Sequence, residues 1–134
     1  WAQLEKADEI NNNRLNTWHA YNNAFRDIAE KGFIELPTIP DGCEHNAHMY
    51  YIKCRNLEER TAFIKYMKDN DILTVFHYVP LHSAPAGQKY GRFSGEDVYT
   101  TAESDKLVRL PMYYGIEQKD IEKVIEKTLE FFTH

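Results

Sequence analysis

Apolar residues recur along this chain in two rhythms, and each predicts a different kind of element. From Trp1 to about Lys31, the residues Trp1, Leu4, Leu15, Trp18, Tyr21, Phe25 and Ile28 fall on one broad face of a helical repeat. The spacing predicts one long helix, and Gly32 is placed to end it. Asn11, Asn12 and Asn13 are poor helix formers and lie mostly off that stripe. A helix of this length would run ~45 Å, more than a compact domain needs, so it is expected to reach toward another domain or subunit. Leu57 to Lys68 returns to the helical rhythm, with Leu57, Phe63, Ile64 and Met67 on one face and Asn56 as N-cap. Glu117 to Phe132 does so again through Ile121, Val124, Ile125, Leu129 and Phe132. Its acidic start suits the helix dipole.

The second rhythm is that of strands. Phe33 to Leu36 and Leu73 to Phe76 are short apolar runs, and the latter is expected to be a buried strand. His48 to Cys54 alternates, with Met49, Tyr51 and Lys53 opposite Tyr50 and Ile52. Thr101 to Val108 is predicted as a short helix capped by Thr100 or Thr101, and Arg109 to Met112 as an edge strand or extended segment. Between these elements, Pro37 to Gly42 is a turn-rich loop, and Ser83 to Gly95 is a long loop of small residues carrying Tyr90 and Phe93. The order helix, strand, strand, helix, strand, helix, helix predicts an α+β fold, one small sheet packed against helices.

Composition narrows the class. At 134 residues and 43% apolar, the chain fits one domain with a real core. Its 21 acidic residues against 16 basic ones argue against a nucleic-acid partner, which needs a basic stripe. No apolar run approaches the ~20 residues that span a bilayer. Cys43 and Cys54 make no disulfide framework and point to a reducing, cytoplasmic setting. The first residue, Trp1, already lies inside the helical pattern with no cap before it, so the chain is expected to be a piece of something longer.

The candidate chemistry gathers where the Leu73–Phe76 run meets Pro80. Proline cannot donate to a central strand, so His77, Tyr78 and His82 must leave the sheet on a loop held by a rigid element, where binding groups are usually displayed. His77, Tyr78, His82, Lys89, Tyr90, Arg92 and Arg109 would form an anion clamp for a phosphate or sugar if the loop folds over the strand ends. The alternative is that Tyr78, Tyr90 and Phe93 only pack the loop down, and the residues alone leave both open. Cys43, His45, His48 and Cys54, or His77 with His82, have zinc-ligand chemistry without zinc-site spacing, and no metal is expected. Ser83 beside His82 lacks a nucleophile-elbow pattern, and Cys54 has no marked partner but Arg55. Glu58, Glu59 and Arg60 read as a solvated helix surface.

Several stretches together resemble one family. They are Trp1 to Ile10 with Arg14, Ile34 to Cys43, Asn46 to Lys53, Val75 to His82, Gly95 to Thr101 and Arg109 to Tyr113. They resemble the C-terminal domain of the DegT/DnrJ/StrS-type sugar aminotransferases, nearly end to end. The resemblance implies the small C-terminal domain of a fold-type I enzyme that uses pyridoxal 5'-phosphate. Such enzymes move an amino group from glutamate to the 4-keto carbon of a nucleotide-linked sugar, and the small domain closes over the substrate at a homodimer interface. The cofactor's lysine lies in a His-Glu-Thr-Lys-Asn-like segment of the large N-terminal domain. Nothing here matches that segment, since Lys53, Lys65 and Lys89 lie in other contexts. The resemblance therefore implies no catalytic residue in this stretch and no activity of this stretch alone. The partners it implies are the N-terminal domain, a second copy, glutamate and the nucleotide sugar. By resemblance His77 and Tyr78 contact the sugar or its diphosphate, with His82 and Tyr90 next on the adjoining loop. Arg109 contacts it or braces the loop, and His48 is structural. The rival reading is a non-catalytic module that binds a nucleotide sugar or a protein.

Overall fold

The structure is a computed structural model that describes residues 1 and 3–133. It is an α+β arrangement of one antiparallel sheet and helices. A 3-10 turn, Leu4–Lys6, leads into α1 (Ala7–Ala24) and α2 (Arg26–Glu30); then follow β1 (Tyr50–Lys53), α3 (Leu57–Asp69), β2 (Val75–Phe76), α4 (Pro85–Tyr90), α5 (Thr100–Lys106), β3 (Leu107–Leu110) and α6 (Gln118–Thr133).

The sheet has three strands in the order β1-β3-β2. Tyr50 pairs with Leu110, Tyr51 with Arg109 and Ile52 with Val108, while Val75 and Phe76 pair with Arg109 and Val108 on the other side of β3. Since side chains alternate along a strand, Tyr50, Ile52, Val108 and Leu110 share one face, and all four are buried. That inner face packs on Trp18, Tyr21, Phe25 and Ile28 of the N-terminal helices, Phe63 and Met67 of α3, and Ile121, Val124 and Phe132 of α6. Aromatic rings fill the middle: Tyr50 lies 5.3 Å from Tyr21 and 5.5 Å from Trp18 between ring centroids. The Tyr21 hydroxyl donates to the Pro111 carbonyl at 2.8 Å, so this deep ring leaves no polar atom stranded.

Several expectations are corrected. The long N-terminal helix is interrupted at Phe25, whose backbone opens to φ −96°, ψ 0°; its ring is fully buried against Tyr21 and Tyr50, so packing dictates the backbone there. Trp1 and Leu4 do not join the buried stripe and stand 91% and 72% exposed. Phe33–Leu36 is no strand beyond a single bridge, Glu35 to Lys53. The last two concern the sheet. The expected buried strand at Leu73–Phe76 shrinks to a two-residue edge with both residues exposed. The expected edge at Arg109 belongs instead to the central strand, because Leu107–Leu110 is paired on both sides. Helix α5 accordingly stops at Lys106, and its first turn is capped by Asp97, which accepts from the Thr101 N–H, rather than by a threonine.

Two helix ends close by the same device. Gly32, at φ +78°, follows α2, and the Gly32 and Phe33 N–H groups return to the Ala29 and Ile28 carbonyls. Asp71, at φ +61°, follows α3, and the Asp71 and Ile72 N–H groups return to Lys68 and Met67. Both are Schellman closures, with Ile72 folding back on Met67 in the core. The second sets the direction in which the chain enters β2, and so aims the segment after it.

Candidate functional site

The outer face of the sheet carries the other half of each strand: Tyr51 and Lys53 from β1, Leu107 and Arg109 from β3, Val75 from β2. None of these is fully buried. By alternation His77, one residue past β2, projects on this same side. With Tyr51, Lys53, Tyr78, Glu103, Ser104 and neighbours it lines a pocket of about 380 Å³.

Within the pocket, the His77 ring meets the Tyr78 ring edge-on at 4.3 Å between centroids. The His77 Nδ1 atom is shielded from water with no hydrogen-bond partner among the described residues. Burial, then the positive charges of Arg109 and His48, holds the His77 pKa below its usual value. His77 is therefore a neutral imidazole near pH 7, with one shielded nitrogen able to bond a ligand group. Tyr78 stands 68% exposed at the pocket's mouth, its ring offered for stacking.

Lys53 shapes the pocket's wall. Its ammonium lies 2.7 Å from Glu35 and 2.6 Å from Glu103, and the hydrogen bonds to Glu103 and Glu35 raise its pKa. An amine that must attack a carbonyl needs its pKa lowered, so Lys53 does not fit a pyridoxal anchor. A phosphate at Lys53 would also face the two carboxylates already beside it. Of the other lysines with placed partners, Lys65 is tied to Asp69 and Lys89 lies over the Tyr90 ring.

The expected clamp does not assemble as one cluster. His77 and Tyr78 come together, and Arg109 lies on the same face, near enough to depress His77. Arg109 itself opens onto a smaller depression shared with His48 and Val75. His82 turns away: its Nε2 lies 2.8 Å from Asp97, and its ring packs 4.5 Å from that of Phe93. It lines a separate depression with Gly87, Arg92 and Phe93. Tyr90 ends α4 and is 78% exposed, apart from the His77 pocket. The expected long loop thus contains a short helix begun by Pro85, where a proline's missing N–H costs nothing. This helix rides so close to the preceding turn that a Cβ on Gly87 would fall 1.6 Å from the Leu81 carbonyl oxygen.

Burial pushes the Cys54 thiol up to about 12, so it stays protonated and unreactive. Among the described residues no three His, Cys, Asp or Glu side chains gather as metal ligands, and no helix is long and apolar enough to cross a membrane.

Sequence reasoning overlooked the residues that hold the pocket: Lys53 with Glu35 and Glu103, Ser104, Arg60 and Asp97. Alternation put Lys53 on the outer face, but its partners come from residues 18 before and 50 after it, which no local pattern reveals.

Comparison with known proteins agrees with this architecture. The chain matches the DegT/DnrJ/EryC1/StrS aminotransferase family over residues 1–129. It is 29% identical over 98 residues, 70% of its length and 25% of the relative's, to a dTDP-3-amino-3,6-dideoxy-alpha-D-galactopyranose transaminase of Aneurinibacillus thermoaerophilus. Among solved structures, the aminotransferase TlmJ from Streptoalloteichus hindustanus superposes with a TM-score of 0.84 at 20% identity, covering 97% of this chain and 34% of that one. NtdA from Bacillus subtilis, solved with bound PMP, superposes at 0.78 and 24% identity over 93% of this chain and 29% of that one. The chain spans about a third or less of the length of the proteins it matches. A match over nearly every residue, on a fold shared with solved aminotransferases, places this chain in the DegT/DnrJ/EryC1/StrS aminotransferase family.

Proposed function

We propose that this chain is the small, substrate-closing C-terminal domain of a pyridoxal 5'-phosphate-dependent nucleotide-sugar aminotransferase, active as a cytoplasmic homodimer. The amino donor is glutamate, and the acceptor is the 4-keto carbon of a dTDP-4-keto-6-deoxy sugar. The specific activity proposed is that of a dTDP-4-amino-4,6-dideoxygalactose transaminase of the enterobacterial common antigen pathway. The observation that carries this reading is the family match over residues 1–129, joined to a pocket whose mouth holds His77 and Tyr78. The Aneurinibacillus relative, named for a dTDP-linked amino sugar, supports the substrate class.

In the whole protein pyridoxal phosphate supplies the electron sink for amino transfer. This chain's residues act on the acceptor instead. Tyr78 offers an aromatic face to the sugar or its nucleotide. His77, neutral, bonds a hydroxyl or phosphoryl oxygen. Arg109 adds positive potential along the outer face. His82, held by Asp97, keeps the loop in place and reaches substrate only if that pair opens.

The test uses the complete gene product that contains this segment. Visible absorbance of bound pyridoxal that changes on adding glutamate, followed by amino transfer to a dTDP-4-keto-6-deoxy sugar, is the expected result. His77→Ala should raise the nucleotide-sugar KM by about tenfold, the cost of one hydrogen bond with a shielded partner. If turnover and nucleotide-sugar affinity both stay unchanged, the site assignment is wrong. A protein that stays colourless after reconstitution favours the non-catalytic binding module.

A further inference from the structure

His77 and Tyr78 follow a strand of only two residues at the sheet's edge, so β pairing alone fixes their position weakly. Something else must hold them, and the structure shows what does. The Ser104 hydroxyl on α5 donates to the Tyr78 carbonyl. The Arg60 guanidinium on α3 donates from Nη1 to the Ser104 carbonyl at 3.0 Å. The same guanidinium lies over the Phe76 ring, 5.5 Å from its centroid, one residue before His77. Glu103, next to Ser104, ties α5 to β1 through Lys53. Arg60 thus grips both the helix that holds Tyr78 and the strand residue that precedes His77.

The Arg60 side chain is committed to this place. Its Nε atom is shielded from water with no partner among the described residues, a cost that an arginine free in solvent would not bear. A solvated helix surface does not explain that, whereas a brace does.

We propose that Ser104 and Arg60 are positioning residues for the nucleotide-sugar acceptor, setting where His77 and Tyr78 are presented by holding the Tyr78 carbonyl and the Phe76 ring. This rests on the function proposed above. It goes further in separating the two substrates: the brace serves the acceptor sugar and leaves reaction with glutamate alone.

The experiment uses the complete gene product and three variants, Ser104→Ala, Ser104→Thr and Arg60→Met. In the wild type, glutamate-driven change of the pyridoxal absorbance and transfer to the sugar are measured separately. Ser104→Ala is expected to raise the nucleotide-sugar KM about fivefold, with kcat and the glutamate half-reaction within twofold of wild type. Ser104→Thr, which keeps the hydroxyl, should restore KM to within twofold. Arg60→Met keeps the stem and removes the guanidinium, and it should reproduce the KM effect if Ser104→Ala fails to fold. Hydrogen exchange should quicken in peptides covering His77–His82 and not in α6. An unchanged KM in both Ser104→Ala and Arg60→Met overturns the proposal, and so does an equal loss in the glutamate and sugar half-reactions. A wild type that transaminates no nucleotide sugar refutes the function proposed above; the exchange pattern then decides the brace by itself, and unchanged exchange over His77–His82 overturns it.

Discussion

The inner and outer faces of the sheet are held by different forces. On the inner face Tyr50, Ile52, Val108 and Leu110 lose nearly all contact with water against the helices. Stability there comes from area removed from water, is non-directional, and changes little with pH. On the outer side Lys53, Glu35 and Glu103 meet as ions, Ser104 holds a carbonyl, and Asp97 binds both His82 and the Thr101 hydroxyl. These ties are directional, partly exposed and individually weak. Leu73, Tyr78, Val79 and Leu81 remain exposed beside them. The fold invests its apolar mass on one side and leaves the other to polar ties, where a bound molecule can compete. Residues for recognition are drawn from such low-stability regions.

The comparison can be broken most severely from the inner side. Phe63 is fully buried and packs 5.2 Å and 5.1 Å from the rings of Phe131 and Phe132. Phe63→Ala should cost about 3–5 kcal/mol, read as a lowered urea midpoint with both faces unfolding together. Gly87→Ala attacks the outer side instead, since its Cβ would overlap the Leu81 carbonyl. It should cost about 1–3 kcal/mol, appearing as faster exchange across residues 79–91 while α6 keeps its protection. Equal loss of protection on both sides would show that the two regions are one cooperative unit.

Acid should separate the faces without any substitution. Lys53 holds the Glu103 carboxyl below its usual range, and Thr101, with His82, does the same for Asp97. A carboxyl whose folded pKa is depressed stabilises the fold above its unfolded pKa and loses that contribution as pH falls through the folded value. Between pH 7 and 5 the carboxyl ties should hold, while His77, whose folded pKa is lowered by burial, costs the outer face some stability as pH falls through its unfolded value. Below roughly pH 4, amides of α5 should open before those of α6, after correction for intrinsic exchange rates. Glu103→Gln should blunt that response, and an α5 as acid-resistant as α6 would contradict the assignment. The smallest effects belong to the two helix closures. Gly32→Ala should cost about 1 kcal/mol, because an alanine there keeps a left-handed backbone. Asp71→Gly should gain up to about 1 kcal/mol for the converse reason, both read from thermal unfolding.

How much of this was legible before folding follows the same division. Helices α3 and α6 were readable because one face of each repeats its apolar residues at helical spacing, and Asn56 caps α3 as its chemistry requires. The alternation at β1 was readable for the same reason, as was the departure of His77 and Tyr78 from the sheet near Pro80. The helix within the Ser83–Gly95 loop was not, because small residues and glycine give no apolar stripe. Leu107 and Val108 were misassigned to the preceding helix because a short apolar run suits helix or strand, and only pairing with β1 and β2 decides it.

The sequence by itself determined the α+β class, the buried faces and the place where histidine and tyrosine leave the sheet, since these depend on local periodicity and on proline's missing donor. Only the tertiary structure decided that His82 pairs with Asp97, that Lys53 is bound by two carboxylates, and that Arg60 reaches across to Ser104. Each of those contacts joins residues 15 to 50 apart in the chain. Their geometry exists only once the helices have closed on the sheet, because no residue's own neighbours encode a partner brought in by packing.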